Sequence, residues 1–134
     1  MQPTSSDHKR TVFVVEDDVL QIKWIKLTTE HDGTRVVPVE INRDSIEQAV
    51  TRSGSEDVFL IDIFLNHDLD GLAVTEIIAD GNFPGSVIFV SGDGADYLPI
   101  AQRLAEARGL RVSAVIEKPL LPRKLRASIH GKAA

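Results

Sequence analysis

The stretch VFLIDIFL, residues 58–65, carries the pattern that decides the fold: an apolar run that contains a single carboxylate, Asp62. Strands that are covered on both faces of a parallel sheet are continuously apolar and rich in β-branched and aromatic residues. A buried strand over residues 58–61 is therefore predicted, at the centre of a sheet. Asp62 then lies at the carboxyl end of that strand.

Four further apolar runs predict the other strands. They lie at residues 12–15, 36–39, 87–90 and 112–116, and the last is the weakest. Pro38 lies within the second run, and proline cannot donate a hydrogen bond to a neighbouring strand. That strand is therefore predicted at an edge of the sheet.

Segments with apolar residues at helical spacing separate the strands. The sets are Ile46, Ala49 and Val50; Val74, Ile77 and Ile78; and Leu98, Ala101, Leu104 and Ala105. Asp18 is predicted to cap the first helix, and Asp44 with Glu47 to form a capping box on the second. Glycines at predicted helix ends are Gly33, Gly54, Gly81 and Gly109. A last short helix is predicted from about Pro122 to His130.

Alternation of strand and helix, five times over, predicts an α/β fold with a doubly wound parallel sheet. Right-handed crossovers then place helices on both faces of the sheet. The expected domain spans residues 10–130, with a flexible N-terminal segment at 1–9 and a tail at 131–134. Ligands of such folds bind at the carboxyl ends of the strands, so the functional residues are sought there.

Composition narrows the class of protein. With 134 residues, 43% hydrophobic and 26% charged, the chain has the make-up of one globular domain. The net charge of -5 and the scattered basic residues disfavour nucleic-acid binding and suit a cation or a basic partner. Cysteine is absent, which excludes disulfides and thiolate metal sites. No apolar run approaches the roughly 18 residues of a membrane span, so a cytoplasmic location without membrane contact is expected.

Polar side chains follow four of the predicted strands. Glu16 and Asp17 follow the first strand, Asp62 the third, Ser91 the fourth and Lys118 the fifth. Because parallel strands bring these groups to one rim of the sheet, the carboxylates are expected to converge and repel one another. A hard divalent ion with oxygen ligands, such as Mg²⁺, relieves that repulsion, and Lys118 supplies a second positive charge.

Four stretches, in this order, resemble the signature motifs of response-regulator receiver domains. They are VFVVEDD at 12–18, VFLIDIFL at 58–65, VIFVSG at 87–92 and EKPL at 117–120. Each motif alone is weak, but the ordered set is specific, and the resemblance runs from about Arg10 to Ile129. It implies a flavodoxin-like fold of five strands in the order 2-1-3-4-5.

The resemblance also implies a function for the rim. Asp62 would accept a phosphoryl group from a histidine kinase or a histidine phosphotransfer protein, in a signalling module rather than an enzyme. Asp17 would bind Mg²⁺ directly and Glu16 mainly through water. Asp62 and the main-chain carbonyl of Phe64 would complete the protein's share of the ligands.

The resemblance further implies a switch. The Ser91 hydroxyl and the Lys118 ammonium would contact the phosphoryl oxygens on Asp62, and the movement of Ser91 would reposition the loop from Gly92 to Asp96. A downstream effector protein or domain would sense that change. The Lys118–Pro119 bond is expected to be cis.

One position departs from the family pattern, and two others vary within the family. Val115, three residues before Lys118, replaces the usual tyrosine or phenylalanine, which puts the usual coupling to the output face in doubt. Phe64 and Asp93 occupy the variable positions that flank the phosphoryl group, and the bulk of Phe64 predicts slow attack by water.

Three alternative functions are weighed. A pseudo-receiver that binds partners without phosphorylation is compatible with Val115. A phosphohydrolase of the haloacid dehalogenase type needs a second aspartate two residues after the first, where Phe64 stands. A P-loop nucleotide-binding protein is disfavoured because no glycine-rich phosphate loop follows Val15. Whether the chain acts alone or within a longer protein stays open.

Overall fold

The structure is a computed structural model that describes residues 10–30, 33–65, 69–92 and 97–130. Five strands and five helices alternate along the chain. The strands are β1 (Arg10–Val15), β2 (Thr34–Pro38), β3 (Val58–Asp62), β4 (Ser86–Ser91) and β5 (Arg111–Glu117). The helices are α1 (Val19–Thr29), α2 (Arg43–Arg52), α3 (Gly71–Asp80), α4 (Tyr97–Ala107) and α5 (Pro122–Ile129). The predicted alternation is confirmed, and each predicted apolar run overlaps the strand that it predicts.

All five strands are parallel and lie in the order β2-β1-β3-β4-β5, as the resemblance implied. The strand that contains Pro38 is at an edge, which confirms its predicted position. The register aligns the carboxyl ends: Val15 pairs with Ile61, and Asp62 pairs with Val90. The residues that follow β1, β3 and β4 therefore leave the sheet at a common level.

Alternate side chains of the strands build two apolar cores, one on each face of the sheet. Phe59 and Phe89 belong to the core that α2, α3 and α4 cover, whereas Leu60 and Ile88 belong to the core beneath α1 and α5. Every residue of β3 is buried, including Asp62. The central strand thus carries a carboxylate into a position that water barely reaches.

Several of the predicted helix ends agree with the structure. Asp18 caps α1 as predicted, since its carboxylate accepts from the amides of Leu20 at 3.0 Å and Gln21 at 3.4 Å. Gly81 is the C-cap of α3, again as predicted. The last helix ends at Ile129 with His130 as its cap, in agreement with the predicted range.

The capping box predicted at Asp44 is wrong. Asn42 caps α2 instead, and its side-chain oxygen accepts from the Ser45 amide at 2.8 Å. Asparagine is as good a cap as aspartate, so the helix begins earlier and Asp44 falls within its first turn. Glu47 is then free of a capping role and pairs with Arg43 at 3.4 Å.

The segments predicted to be a flexible N-terminus and a tail, 1–9 and 131–134, lie outside the described residues, and that prediction stands as made. Among the helices described, each is too short or too polar to span a membrane.

Candidate functional site

Four connections at the carboxyl rim of the sheet bring the predicted site residues together. Asp62 is the last residue of β3, Ser91 is the last residue of β4, and Glu16 follows β1 directly. Lys118 follows β5, and its main-chain amide donates to the carbonyl of Ser91 at 2.8 Å. This hydrogen bond joins the connection after β5 to the end of β4, beside the central strand.

Lys118 bridges two buried carboxylates. Its Nζ lies 3.2 Å from Oδ2 of Asp62 and 3.4 Å from Oε1 of Glu16. The Lys118 side chain is more accessible to solvent than either carboxylate side chain. One cation is therefore shared between two acids in a poorly hydrated setting.

The remaining carboxylate oxygens of this pair are held by main-chain amides. Oδ1 of Asp62 accepts from the Phe64 amide at 3.0 Å, and Oε2 of Glu16 accepts from the Asp18 amide at 3.2 Å. Each carboxylate thus has one oxygen on Lys118 and the other on the backbone. Such fixed hydrogen bonds orient both groups toward the same point at the rim.

Asp17 completes a cluster of three acids. Glu16, Asp17 and Asp62 each offer a carboxylate oxygen, and these oxygens lie within 4.8 Å of one another. Glu16 and Asp62 are buried, and Asp17 is half-buried. Three carboxylate oxygens at this spacing, with one side open, are the donor set that a hard cation such as Mg²⁺ prefers. The residues present therefore fit the predicted metal.

Burial controls the protonation of the cluster. It raises the pKa of Glu16 from 4.5 to about 7, and the negative charge of Asp62 adds to the increase against the opposing effects of Lys118 and the Asp18 amide. Burial alone lowers the Lys118 pKa, but the carboxylates of Asp62 and Glu16 outweigh it, so this pKa lies above its usual value. Lys118 is therefore charged at neutral pH.

The family of the chain follows from its sequence match. Residues 12–130 match the family model of the response regulator receiver domain. The chain belongs to this family. No curated protein matches the chain at a significant level.

Several solved structures resemble this receiver domain. A response regulator from Colwellia psychrerythraea is 26% identical over 90% of this chain and 93% of its own, with a TM-score of 0.69. The signal receiver domain of a modulated diguanylate cyclase from Desulfovibrio desulfuricans G20 is 24% identical over 89% of both chains, with a TM-score of 0.68. A CheY-like receiver domain protein from Methanospirillum hungatei JF-1 is 21% identical over 92% and 93%, with a TM-score of 0.71. The last two likenesses show the shared fold alone.

A shallow cleft of the receiver domain opens at the site and is lined by Asp62, Phe64, Gly92 and Lys118. The Phe64 ring is partly exposed and packs edge-to-face on Tyr97, the first residue of α4. Sequence reasoning singled out Phe64 but missed Tyr97, because an aromatic residue at the start of a helix carries no signal of its own. The two rings meet only once the chain has folded.

Gly71 is a second residue that sequence reasoning missed. A Cβ atom at this position would lie 2.6 Å from Cα of Ile63 and 2.8 Å from the carbonyl oxygen of Asp62. The Gly71 amide also donates to the Ile63 carbonyl at 3.2 Å. Glycine therefore lets the start of α3 press against the backbone that carries Asp62. A glycine at a helix start was the signal available.

The remaining predictions about the rim have mixed outcomes. The Lys118–Pro119 bond is cis, as expected. Glu117 is exposed at the end of β5, and Val115 lies exposed on the same strand. Asp93 and the rest of the loop that Ser91 was predicted to move, up to Asp96, lie outside the described residues.

Proposed function

We propose that this receiver domain accepts a phosphoryl group on Asp62 from a histidine kinase or a histidine phosphotransfer protein. One observation carries the proposal: a buried carboxylate at the end of the central strand lies 3.2 Å from the ammonium of Lys118 and lines an open cleft. A purely structural salt bridge would not need an open cleft beside it. The neighbouring acids, Glu16 and Asp17, add a place for a cation beside the nucleophile.

The reaction is a transfer between two nucleophiles. A carboxylate oxygen of Asp62 forms a bond to phosphorus while the bond from phosphorus to the donor's imidazole nitrogen breaks, and the imidazole leaves with the electron pair. The product is an acyl phosphate. Lys118 stays charged because its pKa is raised, so its ammonium can pair with a phosphoryl oxygen.

Mg²⁺ is the cofactor proposed for this site. Asp17 would bind it directly and Glu16 mainly through water, together with Asp62 and the main-chain carbonyl of Phe64. Bound Mg²⁺ supplies positive charge that neutralises the phosphoryl oxygens. Glu16 must be ionised to contribute, and its pKa of about 7 makes this step sensitive to pH near neutrality.

Ser91 and Lys118 would convert the modification into a signal. A phosphoryl group adds about 1.5 to 2 negative charges and three acceptor oxygens. The Ser91 hydroxyl would donate to one of these oxygens and Lys118 to another. Because the Ser91 carbonyl accepts a hydrogen bond from the Lys118 amide, movement of Ser91 would be transmitted to the connection after β5. A downstream effector protein or domain would read this change.

The setting proposed for this signal is the cytoplasm, with protein partners only. The net charge of -5 disfavours the phosphate backbone of nucleic acids and the anionic surface of a membrane. The role is that of a signalling module rather than an enzyme. A haloacid dehalogenase-type hydrolysis lacks its general acid, since Phe64 occupies that position.

The test is direct phosphorylation. The wild type, Asp62→Asn and the control Asp44→Asn are incubated with Mg²⁺ and either acetyl phosphate or a phosphorylated histidine kinase, and the hydroxylamine-labile label is measured. Asp44 is an exposed acid on α2 with no part in the site. We expect label on the wild type and Asp44→Asn and none on Asp62→Asn. Label that persists on Asp62→Asn would place the acceptor elsewhere.

The alternative is a pseudo-receiver that binds its partner without phosphorylation. The observation that favours it is Val115, which replaces the aromatic residue of the usual switch and lies exposed on β5. The same experiment separates the two functions, because a pseudo-receiver would take no label in the wild type.

A further inference from the structure

Phe64 and Tyr97 form an aromatic bridge between the site and α4. Their ring centroids are 5.3 Å apart and their planes meet at 87°. This edge-to-face arrangement is one of the two favoured geometries for aromatic pairs. Within the described part of the chain, it is the one ring–ring contact that involves a residue lining the Asp62 cleft.

Phe64 is held at two points. Its main-chain amide is bonded to Oδ1 of Asp62, so its backbone is part of the site. Phe64 is 47% exposed and Tyr97 is 48% exposed, so neither residue is fixed by burial in a core. The contact between the two rings therefore decides where the Phe64 ring lies.

Tyr97 begins a helix that is packed against the core. Leu98, Ala101 and Ala105 of α4 are buried in the core. Just beyond the end of the helix, Arg108 pairs with Glu76 and Asp80 of α3. The buried residues of α4 set the position of Tyr97, from which it contacts Phe64.

We propose that Tyr97 is a positioning residue that holds the Phe64 ring at the mouth of the cleft and so prolongs the lifetime of the phosphoryl group on Asp62. The inference rests on the proposed function. In hydrolysis, a water oxygen bonds to phosphorus, the bond from phosphorus to the Asp62 oxygen breaks, and the carboxylate leaves with the electron pair. The water's proton passes to solvent, and inorganic phosphate is released. A phenyl ring held beside the cleft excludes the water that starts this step.

The bridge also gives α4 a link to the site that needs no aromatic residue on β5. Val115 has no ring with which to contact α4 from that strand. A partner that moved the start of α4 would release Phe64 and speed the loss of the phosphoryl group. The position of α4 and the state of Asp62 would thus depend on each other through one contact.

The experiment compares phosphoryl lifetimes in five proteins: the wild type, Tyr97→Ala, Tyr97→Phe, Phe64→Ala and the double variant Phe64→Ala/Tyr97→Ala. Each is labelled with acetyl phosphate and Mg²⁺, the donor is removed, and loss of the hydroxylamine-labile label is followed. We expect each alanine variant to lose label about three- to tenfold faster, as the strength of an aromatic pair implies. The double variant should decay no faster than Phe64→Ala, and Tyr97→Phe should decay like the wild type.

A matched control separates this role from general damage to α4. Ile100 is on the same helix and is exposed to a similar extent, so Ile100→Ala should leave the lifetime unchanged. Far-UV circular dichroism and the unfolding midpoint check that each variant is folded. We expect the variants to fold because Phe64 and Tyr97 are both exposed.

Each outcome decides between the claims. Lifetimes that are equal in a labelled wild type and in Tyr97→Ala overturn the role of Tyr97 and leave the proposed function standing. Additive effects in the double variant overturn it as well, because the residues would then act separately. A wild type that takes no label overturns the proposed function and this inference with it.

Discussion

Two ionic clusters of this receiver domain contain one cation and two carboxylates each, in different surroundings. At the rim of the sheet, Lys118 lies between Glu16 and Asp62, whose side chains are 2% and 5% exposed. Between α3 and α4, Arg108 pairs with Glu76 and Asp80, whose side chains are 44% and 61% exposed. The two clusters contain the same kinds of group, and the exposure of their carboxylate side chains differs by about an order of magnitude.

Burial distinguishes the proposed chemical site from the ionic cluster at Arg108. Burial raises the pKa of Glu16 to about 7, and a further cation beside it would favour its ionised form. Water around the Arg108 cluster screens its charges, and such pairs contribute little to stability. The rim cluster therefore has the chemistry that the proposed metal binding and phosphoryl transfer need, whereas the Arg108 cluster joins two helices.

The largest expected effect comes from removing the buried cation. Lys118→Met leaves two buried carboxylates without their shared partner. The free energy of unfolding should fall by about 3 kcal/mol at pH 8 without Mg²⁺, the low end for a buried pair because the Lys118 side chain is 25% exposed. Urea unfolding followed by fluorescence of the single tryptophan, Trp24, measures the loss. An equal loss of unfolding free energy in Arg108→Met under the same conditions would contradict the difference between the two clusters.

Addition of Mg²⁺ should stabilise the folded protein through the rim cluster and not through the Arg108 cluster. At a free concentration ten times the dissociation constant, binding raises the free energy of unfolding by about 1.4 kcal/mol. Asp17→Asn should lose most of this gain, and Asp80→Asn should keep it. Unfolding midpoints with MgCl₂ are compared with those in NaCl of equal ionic strength, and an equal gain in both variants would contradict a metal site at the rim.

A change of pH should act on Glu16 with a definite sign. Its folded-state pKa is raised, so the stability contributed by its proton is complete below about pH 4.5 and is lost as the pH rises through about 7. Without metal, the free energy of unfolding should fall by about 1 kcal/mol between pH 6 and pH 8. The affinity for Mg²⁺ should rise over the same interval, since the ion binds ionised Glu16.

The control for this pH effect is Glu16→Gln, which has no proton to lose at this position. The difference in stability between this variant and the wild type isolates Glu16 from other groups that titrate. A difference that does not change between pH 6 and pH 8 would show that the pKa of Glu16 is not raised.

The smallest effect is expected at the exposed cluster. Arg108→Met should lower the free energy of unfolding by less than about 1 kcal/mol, because solvent screens the pairs with Glu76 and Asp80. The loss should shrink further in 0.5 M NaCl, where the Debye length is only about 4 Å. A loss that is unaffected by salt would show that Arg108 acts through packing of its stem rather than through charge.

Much of the fold could be predicted because its signals are local. Pro38 predicted the edge strand through a missing donor, and Asp18 predicted a cap through its place before an apolar segment. Where two local signals compete, the prediction failed: Asn42 and Asp44 are both good caps, and only the folded chain shows that Asn42 is used. The prediction failed because asparagine and aspartate cap helices about equally well.

Parts of the site could not be predicted because they depend on approach in space. Gly71 is required by the backbone of Ile63 and Asp62, which α3 meets only after folding. Tyr97 gains its role from Phe64, which lies on another connection of the sheet. Neither partner is visible from the residue's neighbours in the chain.

The sequence alone determined the strands, their alternation with helices and the kinds of group at each strand end. These features follow from local periodicity and from the polarity of parallel strands. Tertiary structure alone decided the energies. Lys118 meets Glu16 and Asp62 from 102 and 56 positions away in the chain, and their burial sets the pKa of Glu16. Charge and ring interactions depend on separation and on exclusion of water, and only packing determines both.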